Sequence, residues 1–428
     1  MGKPDDAEGW LLHTMTIEGS RPLSGEIAIS GAKNAVLPLL AAAACKPGVF
    51  RLERCPALTD VDATADILEH LGCTVSRAPG VIEVDSRGLC CSRVPRPMML
   101  RLRSSVIFLG ALLARCGEAR LWLPGGCCIG ARPIDLHLRA LQSMGVTVEQ
   151  SGEELRCFCD RLRGGDITLP YPSVGATENM LLAAMGAEGS VTIRDAAREP
   201  EVAALARFLC AMGAEVTGEG SAVLRVTAPG TPQNAVFTVP PDRIETATYL
   251  CALASAGGDL TLTHTVPAQL APVIACLRNA GMEIECGCDT IRASCRKLRA
   301  IGCVRTGPYP AFPTDAQAPL MAALLRARGT TRLRETVFEH RFRHVEALRA
   351  MGADIAIRGR TARFRGVHAL HGADVAAPDL RGGAAMVIAA LGAEGVSHIR
   401  ETQHIARGYE RLCEKLRGLG AEISAGPE

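Results

Sequence analysis

The chain has 428 residues, of which 48% are hydrophobic and only 4% aromatic, so its cores must be aliphatic and alanine-rich. This hydrophobic content is too high for a disordered chain, and the length indicates two or three domains. The formal net charge of +2 argues against a general nucleic-acid or membrane-surface binder, so any anion site has to concentrate its positive charge locally.

The targeting and cysteine patterns indicate a cytoplasmic protein. No cationic start precedes an apolar run, and no uncharged apolar stretch has the length of a membrane span. The 18 cysteines lie mostly in apolar segments, where a reduced thiol serves as a small core residue. No pair of CxxC motifs occurs, so zinc ligation is an open alternative without support from the sequence. We expect no metal at the site and no cofactor.

Lysine is rare in this chain, because only five of the 47 basic residues are lysine. They are Lys3, Lys33, Lys46, Lys297 and Lys415. A lysine inside an ordered motif therefore indicates a position that favours a compact ammonium group over the broad guanidinium of arginine.

In chain order, a loose extension (1–12) and a first strand (15–19) precede one pattern that occurs six times. An amphipathic helix ends at a glycine, and a short strand follows. The glycines recur at intervals of 68 to 73 residues: Gly72, Gly145, Gly213, Gly281, Gly352 and Gly420. Such regular spacing indicates an internal repeat, and each glycine is predicted to have the left-handed conformation that ends a helix. Thr59 and Asp62 fit a capping box for the first of these helices, and Pro200 opens the third.

Each repeat also contains a second helix, which is apolar nearly all round and is therefore predicted to be buried. These helices are expected at 34–44, 104–115, 176–185, 245–256, 316–326 and 384–391. Each repeat thus reads as an α/β unit with two helices and about four strands. Three units make a domain of about 200 residues, so we expect two similar lobes with a ligand-binding cleft between them.

Polar and charged residues stand just before all six buried helices, at 31–34, 102–105, 173–177, 241–246, 312–315 and 379–382. A helix N-terminus offers free amides and partial positive charge to phosphate and carboxylate groups. Full positive charge is added at four of them by Lys33, Arg103, Arg243 and Arg381. Ordinary helix capping explains any one of these sites, but six together favour a polyanionic ligand.

The glycine-rich segment 124–133, Pro-Gly-Gly-Cys-Cys-Ile-Gly-Ala-Arg-Pro, sets Cys127 and Cys128 beside Arg132. Glycines expose backbone amides, and amides and cations lower the pKa of a thiol. Two hypotheses remain open from these residues alone: a surface turn with two buried thiols, or a reactive thiol in an anion site.

Eight motifs, in order and with few gaps, resemble the UDP-N-acetylglucosamine 1-carboxyvinyltransferase family from about Met15 to the C-terminus. They lie at 31–34, 124–133, 173–177, 197–201, 241–246, 312–315, 335–339 and 407–410. The resemblance implies a two-lobed inside-out α/β barrel of six repeated βαβαββ-like units. One lobe would comprise 1–31 and 242–428, and the other, 32–241, would carry the cysteine loop. The hinge is expected near 30–33 and 241–243.

The resemblance also implies the reaction and its residues. The enolpyruvyl group of phosphoenolpyruvate would pass to the 3-hydroxyl of UDP-N-acetylglucosamine, without a cofactor, by addition and then elimination of phosphate. Cys127 would protonate C3 and form a covalent adduct, Asp315 would act as base, and Lys33 and Arg407 would assist catalysis. The phosphoenolpyruvate contacts would be Lys33, Asn34, Arg132 and Arg407. The sugar-nucleotide contacts would be Asn34, Arg103, Arg132, Pro133, Ile134, Asp135, Leu136, Ser173, Val174, Gly175, Asp315 and Val337. Asp379 and Arg381 would close on the ligand.

Some positions depart from the family pattern, and other functions stay open. Cys128 is predicted to be a bystander, Tyr171 stands where some members have lysine, and Ala406 stands where aspartate is common. The rival functions are a shikimate-type enolpyruvyl transferase and a non-catalytic sensor of UDP-sugar. His340 and His344, four residues apart, could share a helix face as metal ligands, but a solvated or capping role is favoured because no third ligand is evident.

Overall fold

The computed structural model describes residues 14–123 and 134–426. The described residues form two compact units. The terminal unit comprises 14–30 and 241–426, and the central unit comprises 31–123 and 134–240. The chain starts in the terminal unit with β1 (Thr14–Glu18) and β2 (Leu23–Ala28), and it enters the central unit at Gly31.

The central unit alternates helices and strands, and a 3-10 segment (Arg103–Ile107) precedes its fourth helix. In chain order the elements are α1 (Lys33–Ala43), β3 (Val49–Glu53), α2 (Thr59–His70), β4 (Thr74–Ala78), β5 (Val81–Asp85), α3 (Arg96–Arg101), α4 (Phe108–Cys116), β6 (Glu118–Trp122), α5 (Asp135–Ser143), β7 (Thr147–Ser151), β8 (Glu154–Phe158), β9 (Leu162–Thr168), α6 (Val174–Ala184), β10 (Ala187–Arg194), α7 (Pro200–Ala211), β11 (Glu215–Thr217), β12 (Val223–Thr227) and β13 (Ala235–Thr238).

The terminal unit repeats this alternation, with 3-10 segments at Pro267–Leu270 and Thr314–Ala316. Its remaining elements are α8 (Arg243–Ala256), β14 (Gly258–Thr263), α9 (Ala271–Ala280), β15 (Glu283–Cys286), β16 (Thr290–Cys295), β17 (Cys303–Arg305), α10 (Gln317–Ala323), β18 (Thr330–Arg334), α11 (Val345–Ala350), β19 (Asp354–Arg358), β20 (Thr361–Arg365), β21 (Asp374–Ala376), α12 (Leu380–Leu391), β22 (Val396–Arg400), α13 (Gln403–Ala406), α14 (Leu412–Gly418) and β23 (Glu422–Gly426).

The described residues form six separate sheets, which confirms the prediction of six repeated α/β units. The sheet orders are β13-β3-β5-β4, β6-β8-β7 and β11-β12-β10-β9 in the central unit, and β15-β16-β14-β2, β17-β18-β20-β19 and β21-β22-β1-β23 in the terminal unit. Five sheets have the four strands expected, with one parallel pair and two antiparallel pairs. In the three-stranded sheet, an isolated parallel bridge between Arg93 and Arg120 takes the place of the fourth strand.

Strands distant in sequence complete three of the sheets. β13 pairs in parallel with β3, and β2 pairs in parallel with β14. β1 lies between β22 and β23 and is antiparallel to both. The strand β1 therefore belongs to the sheet of the sixth repeat and not to that of the first repeat.

All six repeat glycines have positive φ angles, between 90° and 110°, as predicted. Only glycine adopts this conformation without steric cost, so these positions end the amphipathic helices sharply. Pro200 is the first residue of α7, also as predicted. The capping box was wrong: α2 begins at Thr59 itself, its N-cap is Leu58, and no side chain caps it. The helix starts one residue earlier than the Thr59–Asp62 spacing indicated.

The second set of helices is buried, as predicted, and forms the centre of each unit. Helices α1, α4 and α6 belong to the core of the central unit, and α8, α10 and α12 to that of the terminal unit. In α12, every residue after Leu380 is buried. Among the residues described, no helix combines the length and apolar character needed to cross a membrane.

A repeated arginine clamp ties three helices of the terminal unit to the strands that follow them. Arg278, Arg349 and Arg417 each stand three residues before a repeat glycine. Each guanidinium donates through Nε and Nη2 to the backbone oxygen six residues later, on Ile284, Ile355 and Ile423 respectively. Each arginine thus links the end of its helix to the backbone of the following strand, across the turn that contains the glycine.

We expect Arg349→Met to lower the free energy of unfolding by about 1–2 kcal/mol, because the change keeps the aliphatic stem but removes a charged donor pair from the backbone oxygen of Ile355. Urea unfolding measures the loss. Arg358→Met, at an exposed position on the next strand, is the control and is expected to change the free energy by less than about 0.5 kcal/mol. Equal losses in the two variants would refute the clamp.

Candidate functional site

The three buried helices of the terminal unit pack against one another, and polar side chains order the start of two of them. Asp242 caps α8 by accepting hydrogen bonds from the backbone amides of Ile244 and Glu245, at 2.7 and 3.1 Å. Asp379 caps α12 through the amides of Arg381 and Gly382, at 3.0 and 2.9 Å. The third helix, α10, follows the 3-10 turn that contains Asp315. Its start lies near that of α12, because Asp315 reaches Arg381.

Asp315 lies between two buried arginines. Its Oδ1 is 2.6 Å from Nη2 of Arg341, and its Oδ2 is 3.2 Å from Nη2 of Arg381. Both arginine side chains are 4% exposed, whereas Asp315 is 26% exposed. Two guanidinium groups thus share one partly accessible carboxylate, and this group of three side chains is cationic. We call it the Asp315 triad.

The triad keeps unused hydrogen-bond donors. Within the described part of the chain, Nε of Arg341 and Nη1 of Arg381 are buried without an acceptor. A buried donor without a partner is costly, and a buried cation more so. The unused donors suit an anionic ligand near the starts of α10 and α12.

Arg381 is further held by an aromatic ring. Its guanidinium carbon lies 5.3 Å from the ring centroid of Tyr409, and the Tyr409 hydroxyl is 2.9 Å from Oγ1 of Thr248 on α8. Burial disfavours the charged arginine, but Tyr409, Asp315 and Asp242 outweigh burial and raise the pKa of Arg381. Burial also raises the pKa of Tyr409, so its hydroxyl stays protonated at neutral pH. Arg381 therefore remains a fixed cation.

Glu335 joins the Asp315 turn to the loop that carries Val337. Its Oε1 accepts from the amide of Val337 at 2.7 Å, and its Oε2 accepts from Oγ1 of Thr314 at 2.9 Å. A third bond, from Oγ1 of Thr306 at 2.9 Å, fixes the carboxylate, which is 1% exposed. The predicted contact residues Asp315 and Val337 are thereby held by one buried side chain.

In the central unit, Lys33 is the first residue of α1, and its Nζ lies 2.6 Å from Oδ2 of Asp60. Asp60 is in the first turn of α2. Lys33 is 8% exposed and Asp60 3%, so this is a buried ion pair. Asn34, next to Lys33, is half-buried. Asp60 thus fixes the ammonium group assigned to phosphoenolpyruvate.

The start of α6 packs on α5. Ser173 caps α6 through the amide of Ala176, at 3.4 Å. A Cβ on Gly175 would lie 2.9 Å from Cε1 of His137, so a larger residue there would displace the imidazole ring. Nδ2 of Asn179 lies 2.9 Å from Nδ1 of His137, and burial lowers the pKa of His137 to about 4. His137 is therefore neutral at pH 7, and its Nδ1 accepts a hydrogen bond from Asn179.

This packing brings together two of the predicted nucleotide-contact segments. Ile134, Asp135 and Leu136 lead into or begin α5, and Ser173, Val174 and Gly175 begin α6. Helices α5 and α6 are in contact, and His137 joins them through Gly175 and Asn179.

Several predicted site residues do not belong to the groups described above, or lie outside the described residues. The loop 124–133, with Cys127, Cys128, Arg132 and Pro133, lies outside the described residues. Arg103 begins a 3-10 segment. Tyr171 is exposed, and Arg407 follows α13 and is half-buried.

The shared helix face of His340 and His344 was wrong, because residues 339–344 form turns before α11. The solvated or capping role was also wrong for the His344 side chain, which is fully buried and makes no capping hydrogen bond to α11. Burial lowers the pKa of His344 to about 4, while His340 is exposed. In the described ranges, no group of three or more His, Cys, Asp or Glu side chains could hold a metal ion.

Three residues of the site were missed from the sequence: Asp60, Glu335 and Arg341. Glu335 stands inside the motif 335–339, and Arg341 directly follows His340. Asp60 had a weak signal, since an acidic residue in the first turn of a helix is ordinary. None of the three could be assigned a partner without the fold.

Comparison with known proteins agrees with the fold. Residues 17–416 match the family model of EPSP synthase (3-phosphoshikimate 1-carboxyvinyltransferase). UDP-N-acetylglucosamine 1-carboxyvinyltransferase 2 of Caldanaerobacter subterraneus subsp. tengcongensis is 46% identical over 408 residues, which cover 95% of this chain and 98% of that protein. UDP-N-acetylglucosamine 1-carboxyvinyltransferase of Desulfatibacillum aliphaticivorans is 44% identical over 407 residues, which cover 95% and 98%.

Solved structures share the same fold. The enolpyruvyl transferase NikO from Streptomyces tendae has a TM-score of 0.87 at 27% identity, with 97% of this chain and 99% of that chain covered. EPSP synthase from Acinetobacter baumannii has a TM-score of 0.73 at 19% identity, with 96% and 100% covered, and shows the fold alone. The family match over most of the chain and the relatives above 40% identity lead to one conclusion: the chain belongs to the enolpyruvyl transferases, among the UDP-N-acetylglucosamine 1-carboxyvinyltransferases.

Proposed function

We propose that this enzyme transfers the enolpyruvyl group of phosphoenolpyruvate to the 3-hydroxyl of UDP-N-acetylglucosamine and releases phosphate, the first committed step of peptidoglycan precursor synthesis. The names of the relatives support it, since they give a 1-carboxyvinyl transfer that involves UDP-N-acetylglucosamine. The observation that carries the proposal is the Asp315 triad, where a partly exposed carboxylate lies beside two buried cations near the starts of α10 and α12. Such a site can both take a proton from a hydroxyl and hold an anion.

The reaction needs three proton transfers and one leaving group. In the addition, the 3-hydroxyl oxygen attacks C2 of phosphoenolpyruvate, its proton goes to a base, and C3 gains a proton from an acid. In the elimination, C3 gives a proton to a base, the C–O bond to phosphate breaks with its electrons going to the phosphate, and the enol double bond returns. We assign the base to Asp315 and the acid to Cys127, which can also add to C2 as a covalent adduct.

Cations would bind the two anionic groups of phosphoenolpyruvate. We assign this role to Lys33, Arg132 and Arg407, with Asn34 next to Lys33. The ion pair with Asp60 holds the Lys33 ammonium at the start of α1, so it needs no reorganisation when substrate binds. No cofactor or metal is required by this chemistry.

The sugar nucleotide would be bound by several segments of the chain. We assign the diphosphate and uracil to the start of α6, at Ser173, Val174 and Gly175, whose backbone is fixed against His137. Further nucleotide contacts are assigned to Arg103, Arg132, Pro133, Ile134, Asp135 and Leu136. The sugar is assigned to Asn34, Asp315 and Val337, and closure on the ligand to Asp379 and Arg381. Since both substrates are small polar metabolites, we also propose that the enzyme acts in the cytoplasm.

Coupled phosphate release tests the proposal. The purified chain is incubated with phosphoenolpyruvate and either UDP-N-acetylglucosamine or shikimate 3-phosphate, and intact mass is read in parallel. Phosphate release only with the sugar nucleotide is expected. Turnover with shikimate 3-phosphate alone would instead show a shikimate-type transferase. Tight binding of UDP-N-acetylglucosamine without phosphate release would show a sensor.

A further inference from the structure

Ser30 is the last residue of the terminal unit before the chain enters the central unit, and all its polar groups are hydrogen-bonded. Its amide donates to Oε2 of Glu245 at 2.8 Å, and its carbonyl oxygen accepts from the amide of Asp242 at 2.9 Å. Its hydroxyl donates to Oε2 of Glu410 at 2.6 Å and accepts from Nζ of Lys415 at 2.6 Å. Ser30 is therefore fixed by α8, by α14 and by the segment between α13 and α14.

Lys415 is at the centre of this arrangement. Its ammonium group lies 2.6 Å from Oε1 of Glu245 as well as from Oγ of Ser30. Lys415 is 18% exposed and Glu245 2%. Burial raises the pKa of Glu245, and the charge of Lys415 acts against this rise. Removing one member of such a buried pair leaves the other charge uncompensated, so the pair is a strong constraint on α8 and α14.

The choice of lysine fits this geometry. The chain uses arginine at 42 of its 47 basic positions, yet lysine stands here. An ammonium group is compact and can donate in three directions, whereas a planar guanidinium suits a flat pair of oxygens. One oxygen of Ser30 and one of Glu245 both lie 2.6 Å from the same nitrogen, Nζ of Lys415. This arrangement favours a compact ammonium group over a planar guanidinium.

Glu410 connects this arrangement to the segment 407–411, which joins α13 to α14. The neighbouring helix α13 has only four residues, so the segment depends on its own contacts. A Cβ on Gly408 would lie 2.6 Å from Cδ2 of Leu380, the Tyr409 hydroxyl is 2.9 Å from Oγ1 of Thr248, and Glu410 accepts from Ser30. Arg407 is the first residue of this anchored segment.

We propose that Lys415 is a positioning residue that sets the affinity for phosphoenolpyruvate. Through Ser30 and Glu410 it holds the segment that carries Arg407, while it touches neither substrate itself. This inference rests on the proposed function, in which Arg407 binds phosphoenolpyruvate.

Steady-state kinetics of Lys415→Met tests the inference, since methionine keeps the stem and removes the charge. We expect the KM for phosphoenolpyruvate to rise about tenfold, from the loss of one charged hydrogen bond, while the KM for UDP-N-acetylglucosamine changes by less than about twofold. Ser30→Ala is expected to give the same selective rise, and the double variant no more than the larger single effect. Lys297→Met, at an exposed lysine of the same unit, should match the wild type.

A merely structural role would give a different result. Loss of folded enzyme lowers the apparent kcat and leaves the KM for each of the two substrates unchanged. That result, or a wild-type KM for phosphoenolpyruvate in the folded variant, would overturn the inference. If Lys415→Met does not fold, Ser30→Ala carries the test, and there too an unchanged KM for phosphoenolpyruvate counts against the inference.

A second measurement separates this inference from the proposed function. If the wild type releases no phosphate, the proposed function fails, but the anchoring can still be tested by hydrogen exchange. Amides in the segment 407–411 should exchange faster in Lys415→Met than in the wild type and in Lys297→Met. Equal exchange in all three would refute the anchoring itself.

Discussion

Asp315→Asn is expected to lower kcat/KM by about 10²–10⁴-fold, because asparagine keeps the shape of the side chain but cannot accept the proton of the 3-hydroxyl. The change also leaves Arg341 and Arg381 without their shared carboxylate. Breaking a buried ion pair is costly, and since Asp315 is partly exposed we expect a loss of about 2–3 kcal/mol in the free energy of unfolding.

Phosphate release with both substrates measures the first effect, and urea unfolding measures the second. The pH dependence of kcat/KM distinguishes them, since loss of the base removes the acidic limb of the profile, whereas loss of stability alone does not. Asp374→Asn, an exposed carboxylate on β21, is the matched control. Turnover within twofold of the wild type in Asp315→Asn would exclude Asp315 as the base.

Cys127→Ser is expected to abolish turnover at neutral pH. The proposed addition requires an acid that can protonate C3, and a hydroxyl is a far weaker acid than a thiol, whose ordinary pKa is about 8.5. A loss of at least about 10²-fold follows if general acid catalysis by this group is removed. Cys128→Ser, one residue away, is expected to keep the wild-type rate of phosphate release.

The epoxide inhibitor fosfomycin gives an independent measurement on the same pair. The thiolate would open the epoxide, forming a carbon–sulfur bond while the released oxygen takes up a proton. Peptide mass mapping is expected to find the adduct on Cys127 and none on Cys128. An adduct on Cys128, or a fully active Cys127→Ser variant, would contradict the assignment.

The repeat architecture could be predicted from the sequence because it depends on local rules. A glycine at each helix end has one conformation that other residues resist, and all six glycines adopt it. Helices that are apolar all round can only be buried, and the six predicted ones are. These features need no knowledge of distant partners, so their positions were predictable to within a few residues.

The side-chain partners that hold the site residues in place were not predictable in the same way. Asp60 meets Lys33 from a different helix, Arg341 meets Asp315 across 26 residues, and Glu335 bonds both Thr314 and Val337. Such partners are set by how elements pack, which the sequence pattern does not show. The capping box at Thr59 was also wrong, since the helix begins at Thr59 itself.

The position of β1 between β22 and β23 affects the order in which the protein can fold on the ribosome. The described strands of the central unit run from β3 to β13, so its last sheet contact is available once β13 has been made. The terminal unit pairs Thr14 with Arg400 and Gly426, partners that are made long after it. Contacts of such long sequence separation form slowly. The first strand must therefore wait, unpaired, until its partner strands have been synthesised, while the central unit can already be compact.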